Sequence, residues 1–156
     1  MSVNKLGLPV KETEELVNEL NVLLANFQVY YQNLRGIHWN IRGKRFFELH
    51  VKFEELYNDA QVKVDMIAER VLTLGGVPLH TLADYLAVNK LKISKNVSQD
   101  VDAVQVIIDS IGGLLQLERT ILAQSAAIDD EGTNSMMSDF ISEQEKTLWM
   151  MEAWLS

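Results

Sequence analysis

The sequence predicts an all-α protein: a four-helix bundle with one long crossover that carries a short helix. Three observations lead there. Apolar residues recur at steps of three and four almost everywhere, the period of one face of an α-helix. Only two prolines occur in 156 residues, Pro9 and Pro78, so little interrupts the helical runs. The joins between those runs read short, long, short.

The first helix is expected from about residue 11 to about residue 39, on the stripe Leu16, Leu20, Leu23, Phe27, Tyr30, Leu34 and Ile37. "NIRGKR" supplies the turn, around Gly43. The second helix runs from about Phe46 to Leu74, with Leu49, Phe53, Leu56, Ala60, Val64, Ile67, Val71 and Leu74 inward. "GG" at 75 and 76 followed by Pro78 is a stop signal. In the connection from 77 to 97, "TLADYLAV" suits two turns of helix. Ser98 is a candidate cap for a third long helix ending near Ile128. Gly112 and Gly113 inside it each cost about 1 kcal/mol relative to Ala, and read as a close approach or a kink. After "DDEG", Thr133 is a candidate cap for the last helix, which carries Ile141, Leu148, Met151 and Leu155 inward. Two hairpins joined by one crossover is the topology of ferritin-like folds.

The length suits one domain over residues 1–156, with 1–10 as a short N-terminal tail. Absence of cysteine excludes a disulfide framework, a thiolate catalyst and a Cys-type zinc site. No apolar run approaches the roughly 18 residues of a membrane span, and no signal-peptide hydrophobic region opens the chain. A cytoplasmic protein with no membrane partner is the expectation. A net charge of −8 argues against general affinity for nucleic acid and for attraction of cations.

The second helix poses the functional question. With His50 as zero and about 100° per residue, Glu54 falls at about 40°, Asp65 at about 60° and Glu69 at about 100°. The apolar stripe spans about −40° to about −120°. These four polar residues therefore share a face, and it is not the face that packs the bundle. Ferritin-like di-iron sites built inside one bundle have ligands that point inward. Distance adds a second constraint. His50 and Asp65 are separated by about 22 Å of helix, whereas metal–ligand bonds are about 2 Å.

Two copies of the helix, antiparallel about a two-fold axis near residues 57 to 62, would bring the His50 end of one chain to the Asp65–Glu69 end of the other. Phe47, Ala68 and Leu72 on the same face also suit an interface. His38 closes the first helix, and a short turn can bring it to His50. Imidazole with carboxylate and no sulfur suits iron, manganese or zinc. The plain alternative is solvating charge, the reading given to Glu55 and Asp59, with the histidines structural. His80 has no ligand-like company.

Through "HW", "FFELHVKFEELY", "VDMIAERVLTLGG" and "TNSMMSDF…LWM", the chain resembles the Dps family of small ferritin-like proteins, over nearly its whole length. The resemblance implies a homo-dodecameric shell, a miniferritin. Its ferroxidase centres oxidise Fe(II), preferentially with hydrogen peroxide, and ferric mineral is stored inside. It implies His38, His50 and Glu54 as ligands from one subunit, and Asp65 and Glu69 from its two-fold partner. Glu54 stands where relatives often have aspartate. Trp39 matches an aromatic residue beside the family's site, thought to intercept oxidising equivalents; boundary packing is the other reading.

The family's acidic three-fold pores would correspond to Asp130, Glu131 and Asp139, with Asp129 a further candidate. Ser135 stands where some relatives have another acid, and "DDEG" is equally an ordinary solvated turn. The best-known members bind DNA through Lys-rich tails. Here "MSVNKLGLPVKE" holds only Lys5 and Lys11, and "MEAWLS" holds no base. Iron oxidation and storage is thus the leading expectation. A nucleoid-associated protein that shields DNA physically is the alternative, and an inert helical assembly the third.

Overall fold

The computed structural model describes residues 2–156. It contains five helices, α1 Val10–Asn40, α2 Phe46–Thr73, α3 Leu82–Val88, α4 Asp100–Ala127 and α5 Glu131–Leu155, and among the described residues no strand. α1 packs on α2, α4 packs on α5, α1 joins the two pairs through α4, and α3 lies against α1. The expected all-α bundle with a helix-bearing crossover is what forms.

The stripes behave as the spacing required. Leu16, Leu20, Leu23, Phe27, Tyr30, Leu34 and Ile37 are all buried, as are Leu49, Phe53, Ala60, Ile67, Val71 and Leu74. Phe27 meets Tyr30 and Phe140 edge to face, with centroids 6.2 and 6.0 Å apart. Leu56 and Val64 are only partly buried. α2 ends where the glycines stop it: the Gly75 N–H bonds the Leu72 carbonyl at 3.0 Å and the Gly76 N–H that of Val71 at 2.9 Å. This terminal pattern needs a left-handed residue, and Gly75 supplies it at φ +92.

Several local expectations change. Residues 2–9 are folded: the Asn4 side chain accepts from the Leu6 and Leu8 N–H groups, and Leu8 is buried. Gln99, not Ser98, precedes α4 as its cap residue. Thr133 lies inside α5, and Asp130 caps it by accepting from the Thr133 N–H at 3.1 Å. A carboxylate reaches that N–H and favours the positive helix end, so it outcompetes the hydroxyl. Gly113 is a close approach, because a Cβ there would lie 2.6 Å from Leu91 Cδ2; Gly112 has open space.

The crossover is held by asparagines of α1. Asn21 bonds the backbone of Val77 and Leu79, Asn26 accepts from the Lys90 and Leu91 N–H groups, and Asn33 bonds Lys92 and Ser94. Asn26 is fully buried. These contacts keep the crossover along α1 and leave the outer face of α2 uncovered by the chain's own α3.

Candidate metal centre

The α1–α2 hairpin brings His38 and His50 together. Gly43 turns the chain at φ +115, and the two rings stack with centroids 3.8 Å apart and planes 13° apart. His38 Nδ1 donates to the His50 carbonyl at 2.7 Å, and His50 Nδ1 donates to the His38 carbonyl at 2.8 Å. A carbonyl oxygen only accepts, so both protons must sit on Nδ1. In the neutral rings each Nε2 is then a free lone pair, the tautomer a metal ligand needs. Phe46 stacks on His50 at 4.8 Å, and Tyr57 sets its edge to His38 at 5.3 Å.

Glu54 is exposed on the same face, one turn beyond His50. Tyr57, which sequence reading passed over, donates its hydroxyl to Glu54 Oε1 at 3.2 Å. The helical wheel could have found it, since it lies about 20° from His50. Burial of its ring and the Glu54 carboxylate both raise the Tyr57 pKa. Tyr57 also meets Tyr31 edge-on at 5.9 Å. The Arg35 guanidinium covers Tyr31 at 5.4 Å and Trp39 at 4.7 Å. Trp39 is 57% exposed, with one face covered by Arg35.

Asp65 and Glu69 form the other cluster, both exposed and one helical turn apart. A hydrogen bond with Asp65, and repulsion from its charge, push the Glu69 pKa above the usual carboxylate value. Among the described residues, none of Glu54, Asp65 and Glu69 takes part in an ion pair. Carboxylates that crowd one another without a counter-ion favour a bound cation. No three His, Asp or Glu side chains among the described residues come close enough to hold one ion. One chain thus brings His38 to His50 and Asp65 to Glu69, and does not bring the two pairs together.

The face between them is apolar as well as acidic. Phe47 is 82% exposed at the start of α2, and Val51, Val62, Met66 and Leu72 are exposed further along the helix. Ala68 instead packs partly against the core. A groove of about 640 Å³, lined by Gln28, Tyr31, Asn58, Gln61, Val62, Val64 and Asp65, runs along this face.

The bundle interior does not offer an alternative centre. Lys63 of α2, just off the inward stripe, is buried and pairs with Asp59 at 2.5 Å and Glu143 at 2.8 Å. Asp59 is therefore a counter-ion rather than mere solvating charge, while Glu55 pairs only with the exposed Lys52. Glu118 is fully buried in the interior, bonded by the Gln144 amide. One buried lysine and one buried carboxyl, Lys63 and Glu118, are the reverse of the carboxylate-rich core that an intra-bundle di-iron site needs.

At the α4–α5 corner, Asp130 is 2% exposed and bonds Arg70 at 2.7 Å as well as capping α5. Within the chain it is turned inward, away from solvent. Asp129, Glu131, Ser135 and Asp139 are exposed. His80 is exposed and, among the described residues, donates only to the nearby Pro78 carbonyl.

Comparisons with known proteins agree with this architecture. A profile for the ferritin-like domain matches residues 17–156. A solved structure described as a DPS protein from Vibrio cholerae O1, of the ferritin-like diiron-carboxylate superfamily, superposes with a TM-score of 0.97. It is 47% identical, covering 100% of this chain and 98% of that one. A Dps protein from Bacillus brevis superposes with a TM-score of 0.91 at 34% identity, over 94% of this chain and 98% of its own. A "DNA protection during starvation protein" of Porphyromonas gingivalis is 39% identical over 95% of this chain and 93% of its own length.

Proposed function

The chain belongs to the Dps family of ferritin-like proteins, and from that premise we propose that it is a ferroxidase and iron store. Acting as one domain over residues 1–156, it assembles as a dodecameric shell in the cytoplasm. It oxidises Fe(II) with hydrogen peroxide between subunits, and ferric mineral accumulates inside. Iron is both substrate and cargo. DNA and cell are protected because Fe(II) and peroxide are consumed together.

One observation carries the reading. The reciprocal His38 and His50 bonds commit both Nδ1 protons to backbone carbonyls, which leaves two Nε2 lone pairs near the start of α2, while Asp65 and Glu69, in no ion pair among the described residues, lie further along that helix. The half-sites are too far apart to meet within one chain. A two-fold partner laid antiparallel along the exposed apolar face of α2 unites them, with His38, His50 and Glu54 from one subunit and Asp65 and Glu69 from the other. Each such pair of subunits holds two equivalent sites.

The residues then have separate tasks. The imidazoles and ionised carboxylates hold Fe(II) through nitrogen and oxygen only, a donor set that suits iron. Both carboxylates must be ionised to bind, so affinity falls as pH drops. Two Fe(II) ions give one electron each to one peroxide. Its O–O bond breaks to two hydroxides, and no hydroxyl radical is released.

Complementation tests the shared site. One variant lacks the imidazoles (H38A/H50A) and another lacks the acids (D65A/E69A). Each alone should oxidise Fe(II) with peroxide at least about tenfold more slowly than wild type. Unfolded together and co-assembled, they should regain activity, since each mixed pair rebuilds one intact site. Mixed shells no faster than either parent would refute a site between subunits.

A further inference from the structure

We infer that Tyr57 is a positioning residue that holds Glu54 by one oxygen, Oε1, and so commits Glu54 to bind metal through Oε2 alone. The inference rests on the proposed metal site and adds to it the number of oxygens Glu54 contributes. The Tyr57 hydroxyl donates to Oε1 at 3.2 Å, and Oε2 makes no ion pair among the described residues. That contact is long for an O–H···O bond.

The phenol is held by rings rather than by its hydroxyl. Its edge meets His38 at 5.3 Å and Tyr31 at 5.9 Å, and the Arg35 guanidinium backs Tyr31 at 5.4 Å. Tyr57 thereby links Glu54 to the same imidazole stack that presents His38 and His50. Glu54 needs such a hold. It is exposed, has one more rotatable bond than aspartate, and makes no ion pair among the described residues. An unrestrained glutamate would lose its freedom only on binding, and would do so at a cost in affinity. Hydrogen bonds to ligating carboxylates remove that cost beforehand and fix which oxygen is offered.

The test uses the assembled full-length protein and Co²⁺ alone as probe, read by calorimetric titration and by visible ligand-field absorption. Tyr57→Phe keeps the ring and removes only the hydroxyl. It should weaken Co²⁺ binding by about tenfold and alter the ligand-field bands as Glu54 becomes free to use both oxygens. In a Glu54→Asp background, where the shorter arm falls away from the hydroxyl, the same change should alter affinity by less than about twofold. If Tyr57→Phe matches wild type in affinity and spectrum while His38→Ala loses Co²⁺, the metal site stands and the role of Tyr57 is overturned. An equal loss in both backgrounds overturns it too, because the hydroxyl then acts elsewhere. Full Co²⁺ binding by His38→Ala would remove the site reading itself, and this inference with it.

Discussion

Glu118 is one residue whose environment has a measurable consequence. Burial raises its pKa to about 8, against a smaller downward pull from Gln144, Lys63 and Arg119. Gln144 bonds one of its oxygens, while the other and Gln144 Oε1 have no partner among the described residues. A proton on that second oxygen turns an orphaned acceptor into a donor. Above about pH 4.5 the unfolded chain has lost this proton, whereas the folded chain keeps it up to about pH 8. Glu118 therefore makes stability fall as pH rises across that window, and its contribution is level beyond it. Glu118→Gln keeps the shape without the titration. Its urea midpoint, at fixed protein concentration, should match wild type near pH 5 and exceed it near pH 9 by the equivalent of a few kcal/mol. Parallel midpoints for the two proteins at both pH values would show that the buried carboxyl does not hold its proton.

Among the elements, the corner between α4 and α5 separates acids that look alike in sequence. In "DDEG", Asp130 turns inward to cap α5 and neutralise Arg70, while Asp129 adopts φ +59 and stays exposed with Glu131. A Cβ at Gly132 would sit 2.7 Å from the Arg70 guanidinium, so the end of that side chain would have to move aside. Asp130→Ala should therefore cost about 2–3 kcal/mol, roughly 1 from the lost cap and the rest from an unpaired, mostly buried Arg70. Glu131→Gln at the exposed neighbour should stay within about 0.5 kcal/mol. Denaturant midpoints decide between this and a pore role, for which Asp130→Ala would leave stability intact and slow iron entry. The capping role was hidden in the sequence because Thr133 competes for it on composition alone. Arg70, from a different helix, settles the contest.

For the whole molecule, charge opposes the alternative reading as a nucleoid-binding protein. Basic residues number 14 against 22 acidic. The densest lysines, Lys90, Lys92 and Lys95, share their groove with Asp102 and Asp109. Duplex affinity comes from cations replacing condensed counterions, and the exposed bases of the α1–α2 turn, Arg42, Lys44 and Arg45, of which Arg45 pairs with Asp100, are few against a net charge of −8. We predict no gel shift of duplex DNA at about 0.15 M salt with chelator present. A salt-sensitive shift at low micromolar protein would reverse that view.

Helical period, glycine–proline punctuation and the outward angle of His50, Glu54, Asp65 and Glu69 are local properties. Residue order alone therefore determined four long helices, the α2 stop at Gly75, and an acidic, histidine-bearing face turned away from the core. Tertiary structure decided what depends on residues distant in sequence. It folded Nδ1 of His38 onto the carbonyl of His50 and the reverse, buried Lys63 against Asp59 and Glu143, and tied the crossover to Asn21, Asn26 and Asn33. Periodicity records which side of a helix faces apolar neighbours. It does not record which polar group from another helix will meet a buried one, and that meeting sets tautomers, caps and pKa values.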